Sequence, residues 1–202
     1  MERETEGKRR DRRVLRSRQA LIEAFRALLE EKAFSEISVY QISERADLNR
    51  GTFYAHFSDK YELLEQLIRE QFRAYLDKGL SDSQYKQRNN NLQRIIQLVI
   101  SYFQESRCIM RPDAPIAYIV ERALQHELQT ILANWLQQNS GMEKHQWSMP
   151  LEMVASMMAW SIFGATSQLC SNKTLVEPEA LAAQLETVLM QGISSLWASA
   201  KL

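Results

Sequence analysis

Residues 38–57 read Ser38-Val39-Tyr40-Gln41-Ile42-Ser43-Glu44-Arg45-Ala46-Asp47-Leu48-Asn49-Arg50-Gly51-Thr52-Phe53-Tyr54-Ala55-His56-Phe57. Two short helices joined by a tight turn fit this run. Ser38 can N-cap the first, with Gln41 three residues on to complete a capping box. Val39, Ile42 and Ala46 make its inward face. Leu48 lies inside the turn, where one apolar side chain can pin the angle between the helices. Asn49 caps the second helix. Its residues Arg50, Gly51, Thr52, Tyr54, Ala55 and His56 are small or hydrogen-bonding, and Phe53 and Phe57 are the buried anchors. These are the dimensions of a helix-turn-helix, and a helix lying in a DNA major groove needs that mix. Gly51 costs about 1 kcal/mol against Ala inside a helix, but it lets the backbone come close to DNA. Asn49 turns the positive end of the helix toward phosphate.

The periodicity on either side is helical. Upstream, Val14, Leu21, Ile22, Phe25, Leu28 and Leu29 face one way and Arg16, Gln19, Glu23, Arg26 and Glu30 the other, a helix of about five turns. It fades over residues 31–34. Downstream, Asp59 with Glu62 forms another capping box and opens a long helix carrying Tyr61, Leu64, Leu67, Ile68, Phe72 and Tyr75. Residues 77–91 are polar, include Gly79, and read as a loop. Four more helices follow. One carries Leu92 to Phe103, and one runs from after Pro112 and Asp113 past Trp135 to a stop at Asn139, Ser140 and Gly141. One starts near Ser148, with Pro150 in its first turn, and runs to Asn172. The last starts at Pro178 and carries Leu181 to Trp197.

Length and composition narrow the class. The chain has 202 residues, enough for one large domain or a small one plus a medium one, and enough to bury a core without metals or disulfides. Cys108 and Cys170 are far apart and lack zinc spacing; they read as small buried residues of a reducing cytosol. No apolar run is long enough to span a bilayer, and the charged N-terminus has no apolar segment behind it, so the expected location is cytoplasmic, with no membrane partner. The net charge is zero, but from Lys8 to Lys60 twelve Lys/Arg face eight Asp/Glu. Six of those cations, Lys8, Arg9, Arg10, Arg12, Arg13 and Arg16, crowd one stretch. A basic arm for phosphates and a solvated tail both fit it. There is no Gly-rich phosphate loop or nucleophile elbow. His56, His126 and His145 do not pair with carboxylates at metal spacing. No enzyme, metal site or cofactor is expected.

The run from Ile42 through Phe57 and on to Ser58, Asp59, Lys60, Tyr61, Glu62, Leu63 and Leu64 resembles the DNA-binding signature of the TetR/AcrR family of transcriptional regulators. The helix over residues 14–34 is similar to that family's first. Gly51-Thr52, Tyr54, Phe57 and Lys60 stand where the family pattern has them. Two positions depart: Asp47 sits at the turn where the family usually has Gly, and Asn49 replaces the more usual Ser or Thr cap. Asp tolerates a left-handed backbone better than most residues, and Asn caps as well as Ser.

The resemblance implies an all-α chain. An N-terminal three-helix helix-turn-helix domain is joined by a long helix to a C-terminal helical ligand-binding and dimerisation domain. The expected divisions are a basic flexible arm over 1–10, the DNA-binding domain over 11–75 and the effector domain over 76–202. The implied function is a ligand-released repressor of double-stranded operator DNA. Arg50 and Thr52 would reach base edges or nearby phosphates. Tyr54, His56 and Lys60 would mainly hold phosphates. Ser38, Tyr40 and Gln41, at the start of the preceding helix, would lie across the groove, with Asn49 and Gly51 at the close approach.

Over the rest of the chain the family pattern supplies no residue motif. A homodimer through the last two helices fits their apolar content on more than one face: Met153, Val154, Met157, Met158, Trp160, Ile162 and Phe163 on one, Leu181 to Trp197 on the other. Methionines and aromatics also suit an adaptable pocket for a small apolar or amphipathic effector. Tyr102, Phe103, Met157 and Trp160 are its candidates. Arg122 and His126, one turn apart, either orient an anionic ligand or lie on an exposed edge beside Glu121 and Glu127. The alternative for the whole chain is a helical protein-docking or DNA-architecture factor without effector. Such a docking helix would carry larger apolar anchors than residues 50–56 do.

Overall fold

The computed structural model describes residues 2–81, 92–105, 116–139, 149–171 and 177–198. All regular elements among these residues are helical. They are α1 (Glu2–Glu31), α2 (Val39–Arg45), α3 (Arg50–His56), α4 (Lys60–Leu80), α5 (Leu92–Glu105), α6 (Ala117–Asn139), α7 (Leu151–Ser171) and α8 (Pro178–Ala198), with one 3-10 turn at Phe34–Glu36. The expected all-α class is the observed one. Pro112, Asp113, Gly141, Ser148, Cys108, His145 and the expected loop beyond Ser81 lie outside the described residues. So do the side chains of Lys8, Arg9, Arg10, Leu196 and Trp197. The chain divides into two compact units, Met1–Leu67 and Ile68–Leu202. The boundary expected at 75/76 lies further along the same helix, α4.

In the first unit α1 packs on α2 and α3, and α2 packs on α3. Leu21, Ile22, Phe25 and Leu28 of α1 are buried, as are Ile37, Ile42, Phe53 and Phe57 of the segments that follow. The apolar stripe of α1 begins at Leu21, since Val14 is 47% exposed. The helix itself begins at Glu2, so residues 2–10, expected as an arm, belong to it. The sequence there favours helix: Glu4 and Glu6 stand four residues before Lys8 and Arg10, in the order that supports a helical turn.

The short helices are closed by the residues expected to close them. The Gln41 amide donates to Ser38 Oγ at 3.3 Å and the Ser38 amide to Gln41 Oε1 at 3.0 Å. Asn49 Oδ1 accepts from the Thr52 amide at 2.7 Å. Asp59 Oδ1 accepts from the Tyr61 and Glu62 amides, both at 2.8 Å. Glu62 reaches back one residue further than a strict capping box, to the Ser58 amide at 2.6 Å. Between α2 and α3, Asp47 adopts φ 53°, the left-handed turn its position calls for.

In the second unit α7 packs on α5, α6 and α8, and α5 also packs on α8. Two features correct the sequence reading. The loop expected from Asp77 starts later, because α4 continues to Leu80. Gly79 is a packing residue there: a Cβ on it would run into the Leu98 side chain of α5. Glu127, expected near the exposed edge of α6, is 1% exposed. Its carboxylate accepts from Arg69 Nε at 3.2 Å and Arg73 Nε at 2.5 Å. Cys170, expected to be buried, is half-buried. No helix of the described residues is long and apolar enough to cross a membrane.

Candidate nucleic-acid interface

The turn and caps hold α3 with one face inward and one outward. Phe53 is fully buried and Phe57 nearly so. Their rings lie 5.8 Å apart, with Tyr54 edge-on to Phe53 at 5.5 Å. Other positions of α3 are open: Arg50, Gly51, Tyr54 and Ala55 are exposed and Thr52 is half-buried. Arg50 and Tyr54 stand one turn apart, so they share a face. Gly51 has a second use besides leaving that face bare, since a Cβ there would lie 3.2 Å from the capping Asn49 Oδ1. Thr52 Oγ1 also donates to this oxygen, at 3.1 Å. On α2, Ser38 and Tyr40 are exposed, Gln41 is half-buried, and the Tyr40 hydroxyl donates to Glu44 at 3.3 Å.

Two residues expected to hold phosphate are engaged inside the unit. His56 Nε2 is 2.7 Å from Ser17 Oγ on α1. Burial, and then the Arg18 guanidinium, hold its pKa below the ordinary 6.5, so the imidazole is neutral at pH 7. The contact links α3 to α1. Arg18 itself sits over the Phe57 ring, 5.5 Å from its centroid. Lys60 is the second: its ammonium donates to the carbonyls of Ile37 at 2.7 Å and Phe34 at 2.9 Å. Neither engagement has a local sequence signal, because Ser17 and His56 are 39 residues apart and Lys60 and Phe34 are 26 apart.

The His56 contact predicts a pH dependence. Protonating the imidazole costs more in the folded unit than in the unfolded chain. Its contribution to stability is therefore fully present above pH 6.5 and is lost as pH falls from there through the depressed folded value. The melting midpoint of wild type should drop between pH 7 and pH 5 by more than that of His56→Asn. Equal drops would remove His56 from the account.

The effector candidates do not converge. Phe103 is buried against Phe163, ring centroids 5.1 Å apart, as part of the core. Tyr102 stacks edge-on with Phe72 at 4.9 Å and Tyr75 at 5.2 Å. Arg122 and His126 are exposed on α6, the second of their two expected readings. Met157 and Trp160 are 54% and 58% exposed. Met157 lines an apolar groove of about 300 Å³ with Val154, Met158, Ser161, Val188, Leu189, Gly192 and Ile193. A second groove, of about 380 Å³, is lined by Arg73, Asp77, Leu80, Ile95, Ile131, Asn134, Trp135 and Gln138, none of them a candidate.

A capped helix with a small, polar outward face, set by a tight turn on a three-helix core, is a helix-turn-helix arrangement. Residues 21–67 match the model of the bacterial regulatory proteins of the tetR family. Over 77 residues it is 40% identical to an uncharacterized HTH-type transcriptional regulator, YxbF, of Bacillus subtilis strain 168. That match covers 38% of this chain and 20% of the length of YxbF. In fold, the chain is similar to the TetR-family transcriptional repressor QsdR of R. erythropolis. The TM-score is 0.64 at 15% identity, over 87% of this chain and 95% of that one. It is also similar to Thermus thermophilus FadR, a TetR-family repressor whose structure was solved in complex with lauroyl-CoA. There the TM-score is 0.51 at 18% identity, over 87% and 94% of the two chains.

Proposed function

We propose that the chain is a sequence-specific transcriptional regulator that binds double-stranded operator DNA as a homodimer, acting as a repressor released by a small ligand. The observation that carries this reading is the outward face of α3. Arg50, Gly51, Tyr54 and Ala55 are exposed there, while the anchors Phe53 and Phe57 hold the helix from behind. Arg50 and Thr52 are the base-edge readers. Tyr54 from α3, with Ser38 and Tyr40 from α2, takes phosphates on either side. A salt-titrated mobility shift on the DNA upstream of its own gene tests it. Arg50→Ala should relax base preference by about 1 to 3 kcal/mol. Binding that is equal for every duplex in wild type and variant alike would reject base reading.

The second unit supplies the dimer. On α7 and α8, Met153, Met157, Trp160 and Val188 are 54–66% exposed. Apolar side chains left open in this way favour burial against a second copy. Trp160→Glu with Val188→Glu should give a monomer by sedimentation, with the helical signal of wild type. A dimer of undiminished affinity would place the interface elsewhere. The effector class that suits the apolar groove content is apolar or amphipathic, a chemistry shared by the lauroyl-CoA found in complex with the Thermus FadR. Ligand and operator should then weaken each other by the same factor. Equal ligand affinity with and without saturating operator would exclude release.

A further inference from the structure

Lys60 is the first residue of α4, where a helix presents its positive end and a cation is out of place. The surroundings explain it. Its ammonium donates to the carbonyls of Ile37 at 2.7 Å, Phe34 at 2.9 Å and Ser35 at 3.4 Å. An ammonium has three N–H donors, and three carbonyls take them. The nitrogen also lies over the Phe34 ring, 4.5 Å from its centroid, and 5.9 Å from that of Tyr61. These two rings meet edge-on at 5.1 Å. The carbonyls belong to the 3-10 turn between α1 and α2, and Ile37 immediately precedes Ser38, the N-cap of α2.

We propose that Lys60 is a positioning residue for DNA recognition and not a phosphate ligand: its carbonyl and aromatic cage fixes where α2 starts and so places Ser38 and Tyr40. This rests on the DNA-binding reading above. A guanidinium keeps the charge but is planar and wider, so it does not fit the same cage. A phosphate contact would survive the change to arginine, and the cage would not.

The test compares Lys60→Arg and Lys60→Met with wild type, at a temperature where each is fully folded by circular dichroism. The probes are a duplex enriched by wild type from a random library and a scrambled duplex of equal length. Both variants should bind the enriched duplex about tenfold more weakly, the equivalent of one hydrogen bond to a charged group. Their preference over the scrambled duplex should shrink and their salt slope should match that of wild type. Amide exchange at Gln41 and Ile42 should quicken. The proposal is overturned if Lys60→Met lowers the salt slope by about one unit per protomer while Lys60→Arg binds as wild type does. It is also overturned if exchange quickens but neither variant loses affinity, which leaves Lys60 a purely structural residue. Wild type that enriches no duplex sinks the DNA reading itself, a result distinct from wild type and variants binding alike.

Discussion

Phe53→Ala is expected to cost about 3–5 kcal/mol, the range for emptying a fully buried aromatic site. Phe53 is 0% exposed at the centre of the first unit. It touches Tyr54 and Phe57, and the α3 that carries it packs on both α1 and α2. A unit of this size has a small surplus of stability, so the loss should unfold it and abolish DNA binding. Phe53→Leu keeps most of the apolar volume and should cost less, about 1–2 kcal/mol, with binding retained. Chemical denaturation of the three proteins checks this. An unchanged midpoint for Phe53→Ala would mean that α3 is held by something other than its anchors.

The second large effect is expected in the other unit. The Glu127 side chain is 2% exposed, between Arg69 and Arg73, whose side chains are 27% and 51% exposed. Removing both cations, Arg69→Ala with Arg73→Ala, leaves a buried carboxylate alone, at a cost of about 3–5 kcal/mol. Glu127→Gln should cost less, about 1–2 kcal/mol. The amide oxygen still accepts one hydrogen bond, and the partly exposed arginines regain water. The order of the two losses in urea melts is the decisive reading. If Glu127→Gln were the costlier change, the carboxylate would be contributing net attraction beyond its own desolvation.

The first unit was largely legible because its signals are local. The Ser38–Gln41 box, the Asn49 cap and the left-handed Asp47 each act within three or four residues, and the structure shows all three. The contacts that rewrite the roles of individual residues are not local. His56 meets Ser17, Lys60 meets the carbonyls before α2, and Glu127 meets two arginines of α4. Spacing along one helix cannot show such pairings. Gly79 read as a loop signal because glycine usually breaks a helix, whereas here it lets α4 approach Leu98. The effector candidates were chosen for side-chain type. Helical burial then separated them: Phe103 went into the core, and Met157 and Trp160 to an open face.

The outward face of α3 is proposed to read DNA. Selection from a random duplex library, run with wild type and with Arg50→Ala, tests it most directly. Wild type is expected to enrich a two-fold symmetric sequence with paired half-sites. Arg50→Ala is expected to enrich the same half-site spacing with weaker preference at one base position in each half. No enriched sequence with wild type, or an identical sequence preference in both proteins, would contradict it.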